Sequence, residues 1–238
     1  MMKSIVKEII KYKEEISVIT SLLICMATIV ATIVNANLVS NQNEIYKEQM
    51  ELQKKQNQPV FSISSKYEQD LNDGKYGTEL LIIRNVGHII PQPCDIKTNV
   101  LFKITKTNGF EQNSLYFPIS HYFNYFTTDN IGDNEIYSAI GKGNNRVFSD
   151  IYSAAIEASN VEKDFSYYIE KQILIKIKYC DIYDKEHTLY FMDQMSIPEE
   201  TYDNVISKSN NPNCLKNLRN ISFPIMKCMV DELDEKQK

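Results

Sequence analysis

Tryptophan is absent from the chain, and histidine and arginine occur only three times each in 238 residues. With only Arg84, Arg146 and Arg219 to offer a bidentate fork to phosphate, and a formal net charge of −5, the chain lacks the electrostatics of a general nucleic-acid binder. Nucleic acid is not an expected partner. Glycine and proline are sparse, at seven each, which excludes collagen-like repeats. The 43% apolar content excludes a wholly disordered chain. No CxxC pair and no Cys/His grouping has the spacing of zinc ligands, so no metal is expected.

Catalytic patterns are missing as well. There is no GxSxG elbow, and Ser120 and His121 are neighbours, which on a strand point to opposite faces. The segment Gly141-Lys142-Gly143-Asn144 has the look of a phosphate loop but lacks its upstream glycine and the Ser/Thr after Gly-Lys. Asp181, Asp184 and Glu186 have no calcium-loop periodicity and read as a solvated hairpin tip. Neither a catalytic residue nor a cofactor is expected, and a hydrolase ranks below a binding function.

One long apolar run is present. Residues 16–34 read ISVITSLLICMATIVATIV, and no charge occurs between Glu15 and Glu44. A helix over this run covers about 28 Å, close to the thickness of a bilayer core. We therefore expect a single-pass anchor in the lipid bilayer of the cell membrane, over 16–39. Ala27 with Ala31, and Thr28 with Thr32, are small pairs four apart and the candidate helix-packing residues, through which the anchor would form a homo-oligomer.

Ahead of the anchor, residues 1–15 read as an amphipathic segment with Lys3, Lys7 and Lys11 set against Ile5, Val6, Ile9 and Ile10. Lysines before the anchor slightly outnumber those just after it, which favours an uncleaved signal-anchor and an extracytoplasmic domain. Cys94, Cys180, Cys214 and Cys228 point the other way if they are free thiols, because those belong in a reducing compartment. Paired as disulfides they would fit outside, and Cys214 is near enough to Cys228 in sequence to bridge.

Residues 40–58 are rich in Glu, Lys and Gln and read as a polar helical stalk that Pro59 ends. From there the pattern alternates. Phe61, Ile63 and Tyr67, the run 79–86, and Ile96, Thr98, Val100, Phe102 and Ile104 read as strands. Turns are expected at Asn72-Asp73-Gly74 and Asn108-Gly109, and residues 173–192 read as a hairpin. The fold expected over 59–200 is a mainly β, antiparallel, immunoglobulin-like sandwich with one helix inserted within 144–168. Residues 201–238 form a C-terminal helical segment, whose helices, 198–207 and 223–236, are separated by Asn210-Asn211-Pro212-Asn213.

Three short motifs carry a resemblance: Gln58-Pro59-Val60-Phe61 after the stalk, Arg84-Asn85-Val86-Gly87 at a strand end, and Ile177-Lys178-Tyr179-Cys180-Asp181-Ile182-Tyr183. With the anchor, they make the chain similar to uncharacterised bacterial single-pass membrane proteins with a small β-sandwich domain. The resemblance implies an architecture and no activity.

The unusual stretch is aromatic. Tyr116, Phe117, His121, Tyr122, Phe123, Tyr125 and Phe126 are the candidate partner-binding residues, because aromatic rings with polar tips give a large contact area at low entropic cost. The function expected is a non-enzymatic, membrane-anchored module that binds a protein or envelope partner. The alternative is a defence-type membrane effector or sensor whose anchor helices oligomerise.

Overall fold

The computed structural model of the chain describes residues 2–69, 74–88, 90, 94–109, 111–127, 134–211 and 213–237. Asn72, Asp73 and Pro212, named above in turn signals, lie outside them. The chain divides into two units, Met1–Asn57 and Gln58–Lys238.

The first unit is one helix, α1 (Met2–Gln56), about 80 Å long at 1.5 Å per residue. It is long and apolar enough to cross a membrane, and its apolar side chains, from Ile16 to Val39, are exposed. Hydroxyls in the apolar run bond back to their own helix: Thr28 Oγ1 donates to the Ile24 carbonyl and Thr32 Oγ1 to that of Thr28, each at 2.8 Å. Such bonds leave no donor unsatisfied in a hydrocarbon medium.

The second unit contains two sheets. The four-stranded one has the order β1-β2-β6-β5, from β1 (Phe61–Gln69), β2 (Tyr76–Asn85), β5 (Tyr125–Thr127) and β6 (Glu135–Gly141). The six-stranded one has the order β10-β4-β3-β7-β8-β9, from β3 (Asp95–Asn108), β4 (Glu111–Ser120), β7 (Ser166–Cys180), β8 (Glu186–Met192), β9 (Met195–Ile197) and β10 (Lys216–Asn217). Among the described residues all pairings are antiparallel except β10 with β4. Alternation builds one shared core: Ile63, Leu81 and Ile83 of the first sheet meet Phe102, Ile104, Ile173, Ile175 and Ile177 of the second.

Three helices complete the unit: α2 (Asn144–Val161), α3 (Glu199–Ser209) and α4 (Phe223–Gln237). Ile151 and Ala155 of α2 and Met226 and Val230 of α4 belong to the shared core. The opposite face of the six-stranded sheet is covered by α3, where Tyr202 meets Leu101, Leu174 and Tyr190. Over the whole chain helix outweighs strand, where the sequence led us to expect mainly β. The difference arises because α1 alone supplies 55 helical residues, while strand exceeds helix in the second unit. The inserted helix lies within 144–168 and ends at Val161, after which Tyr167 and Ile169 face the core from β7.

Two of the short motifs meet at the start of β1. The Asn85 carboxamide oxygen accepts from the backbone N–H of Val60 at 3.3 Å and of Gly87 at 3.1 Å, while its nitrogen donates to the His88 carbonyl at 2.7 Å. Gly87 is required by proximity, because a Cβ there would lie 2.4 Å from the Val60 nitrogen.

The last helix is held by ion pairs. Asp231 on α4 accepts from Lys106 of β3 at 2.7 Å and from Lys227 at 2.9 Å, and Lys227 also reaches Glu162, just past α2, at 3.1 Å. Burial opposes ionisation of Asp231, but the bonds from Lys106 and Lys227 outweigh it and hold the carboxyl below the ordinary aspartate range. A lowered native pKa adds stability that is fully present above the unfolded value, about 3.9, and is lost as the pH falls through the native value. Asp231→Asn should therefore lower the urea midpoint of the full chain at pH 7, and the gap between variant and wild type should close on acidification. A gap independent of pH would refute this assignment.

Candidate functional site

The sharpest chemical feature of the second unit is a pair of opposite charges at core-facing positions. Glu79 follows the phase of Leu81 and Ile83 along β2, and Lys171 follows that of Ile169 and Ile173 along β7, so alternation aims both inward from facing sheets. They meet with Lys171 Nζ 2.5 Å from Glu79 Oε2, Glu79 fully buried and the Lys171 side chain 9% exposed. The Tyr122 hydroxyl donates to the same carboxylate oxygen at 2.6 Å, and Lys171 reaches the Tyr122 oxygen at 3.2 Å and Asn145 Oδ1 at 3.3 Å.

Aromatic rings surround the ammonium. Lys171 Nζ lies 5.3 Å from the ring centres of Tyr67 and Phe148 and 5.4 Å from that of Tyr122, within the range of cation–π attraction. Burial, with the neighbouring Glu79 charge, pushes Tyr67 up to about 12, and the same two causes raise Tyr122 further. Both therefore remain neutral hydroxyls at physiological pH. Asp193, in the turn after β8, accepts from the Ile173 N–H at 2.8 Å, and its burial raises its carboxyl above the ordinary range.

Tyr122 is gripped from its backbone too. Its carbonyl accepts a short bond from the Asn144 side chain at the start of α2, and a Cβ on Gly141 would lie 2.8 Å from that carbonyl. Gly143 is left-handed (φ 73°) and its N–H donates to Thr78 Oγ1 at 3.3 Å, so the Gly141-Lys142-Gly143-Asn144 segment serves as a tight strand-to-helix junction. Beside this network opens a cleft of about 520 Å³ lined by Tyr67, Tyr76, Asn145, Phe148, Ser149 and Lys171.

The aromatic stretch is divided by a turn. β4 ends at Ser120, and His121 is left-handed (φ 62°), which breaks the alternation and puts Tyr122 and Phe123 consecutively into the core. Phe117 is also core, and Tyr116 packs on the α3 side of the sheet. The exposed members are His121, Tyr125 (64%) and Phe126 (56%). Phe126 and His121 line a second cleft of about 260 Å³ together with Leu215, itself 60% exposed. Ala27, Thr28, Ala31 and Thr32 are exposed on α1, with both threonine hydroxyl protons already used within the helix.

A histidine–carboxylate pair exists elsewhere. His187 Nε2 lies 2.8 Å from Asp181 Oδ2, while Asp181 Oδ1 accepts from the N–H groups of Tyr183 and Lys185. The bond to His187 and those from the backbone hold Asp181 below the usual carboxylate range, and the His187 ring stacks on Tyr179 at 5.3 Å. Neither member lines the clefts described above, and the pair closes the β7–β8 hairpin. All five cysteines are free thiols: Cys214 is buried, Cys94 and Cys180 are half-buried, Cys25 and Cys228 are exposed. Burial pushes the Cys94 thiol up to about 11, away from nucleophilic use. Among the described residues no three His, Cys, Asp or Glu side chains group as a metal site.

No protein-family model, curated protein or solved structure matches the chain.

Removing one partner of the buried pair strands a charge, so Glu79→Gln or Lys171→Met should each cost about 3–5 kcal/mol of unfolding free energy. Glu79→Gln combined with Lys171→Met should cost less than the two together, because neither charge is left unpaired. Denaturant midpoints of the four proteins test this, and strict additivity would refute it.

Proposed function

We propose that the chain is a single-pass, membrane-anchored binding module without enzymatic activity, in which an immunoglobulin-like β-sandwich offers an aromatic face to a protein or envelope component. The observation that carries this reading is the exposure of Tyr125 and Phe126 beside the cleft shared with His121 and Leu215. Neighbouring large apolar side chains held in water beside a concave surface mark interaction sites. The His187–Asp181 pair closes the β7–β8 hairpin and lines neither described cleft, which supports binding rather than catalysis in this reading. A photoreactive phenylalanine analogue at Tyr125 should give one discrete cross-linked adduct in cells, and Phe126→Ser should abolish it. No adduct from position 125 in the intact, membrane-inserted protein would overturn the aromatic face.

Although the free cysteines favour a reducing compartment, sidedness in this reading follows the lysine distribution, with residues 58–238 outside the cytoplasm. Cys228 is the informative thiol, being exposed where Cys214 is buried. A membrane-impermeant maleimide added to intact cells after reduction should label Cys228, and Cys228→Ser should remove most of the signal. Labelling that requires lysis places the unit in the cytoplasm and removes an outer envelope component as its ligand.

A further inference from the structure

The cleft beside Lys171 is distinct from the aromatic face, and its chemistry narrows what it can hold independently of the reading above. At about 520 Å³ it falls within the range of small-molecule sites, about 300–1,000 Å³. Half of its lining is aromatic. Tyr67 and Tyr76 keep 46% and 56% of their surfaces exposed, whereas the Phe148 ring is fixed from behind by Phe102 at 5.2 Å. The Asn145 side chain donates to the Tyr76 carbonyl at 2.7 Å, tying two walls together. Ser149 Oγ gives its proton to the Asn145 carbonyl at 2.9 Å and keeps its acceptor lone pairs. The walls are thus ordered before any ligand arrives, which lowers the entropic cost of binding.

Charge decides the ligand class. A cage of rings suits a cation, but the Lys171 ammonium already occupies it and would repel a second. An anion finds that ammonium neutralised by Glu79 at 2.5 Å, with the Asp193 carboxyl also close enough to interact with Lys171 and Glu79. A wholly apolar ligand would displace water from the free lone pairs of Ser149 and from the remaining bonding capacity of Asn145 without replacing its hydrogen bonds. A neutral ring with one C–H face and many hydroxyls meets each condition: the face stacks on tyrosine and phenylalanine, and the hydroxyls donate to the Ser149 lone pairs and bond with Asn145 and the tyrosine hydroxyls. We propose that this cleft binds a neutral saccharide of one or two rings.

The test uses the full chain in nanodiscs of phosphatidylethanolamine and phosphatidylglycerol, free of glycolipid and of sugar-headed detergent. Saturation-transfer NMR is run against glucose, galactose, mannose, N-acetylglucosamine, maltose and cellobiose, with choline and inorganic phosphate as the cation and anion. At least one saccharide should receive saturation on its ring C–H protons, and the two ions should not compete with it. Tyr76→Ala, at an exposed strand start, should weaken that binding about tenfold, and Ser149→Ala severalfold. Tyr183→Ala, on the distant hairpin tip, should leave it unchanged. The proposal is overturned if none of the six sugars binds a chain with native near-ultraviolet circular dichroism, if choline or phosphate binds in their place, or if the bound sugar is indifferent to both Tyr76→Ala and Ser149→Ala.

Discussion

The ion pair between Glu79 and Lys171 is the constraint around which the second unit is arranged. Each charge sits in phase with inward apolar residues, Glu79 with Leu81 and Ile83 and Lys171 with Ile169 and Ile173, and each lies in a different sheet. Withdrawing two charges from water costs several kcal/mol per ion, and the mutual attraction repays this only with close geometry and further hydrogen bonds. Those bonds come from Tyr122 and Asn145, with Tyr67 and Phe148 packed around the ammonium. Five separate segments must therefore converge on one point. A one-residue slip of β2 or β7 would turn one charge out to the opposite face and leave its partner buried alone, so the pair penalises wrong registers.

This explains which parts of the structure were legible in the sequence. The long helix was legible in a mostly apolar run of 19 residues without a charge, β1, β3 and β7 in alternation, β2 in a short apolar run and β8 in the second arm of a hairpin, because each signal is local. β4 escaped notice since it begins Glu111-Gln112-Asn113-Ser114 and contains Pro118, a residue that argues against a central strand. The structure resolves the conflict: β4 has a full partner only in β3, and β10 covers it for just two residues, so the missing proline donor leaves little unpaired. The buried pair was hidden for another reason. Its members are 92 residues apart, and Glu79 merely looked like the polar start of an apolar run. The available clue was the phase of each charge within its strand, together with their opposite signs.

The aromatic stretch combines both situations. Composition marked it as unusual, but composition does not reveal that His121 would take a left-handed conformation and reverse the inward and outward phases on either side. Because it does, Tyr122 and Phe123 become anchors, packed edge-to-face at 5.1 Å, while Tyr125 and Phe126 emerge two and three residues later on β5.

That arrangement has an energetic consequence for recognition. Tyr125 and Phe126 sit on an edge strand of only three residues, too short to template pairing with another chain, so in the proposed binding role contact would be through side chains rather than through a free backbone edge. Their backbone is fixed by its pairing to β6 and, two residues upstream, by the buried Tyr122 and Phe123. Rings held this way have little freedom left to lose on binding, and the entropic cost that limits a flexible loop is largely met during folding. Tyr122 joins the two regions directly, since it borders the Phe126 cleft while its hydroxyl donates to Glu79 Oε2. The interaction that fixes the register of the sheets thus also fixes the position from which the exposed aromatics project.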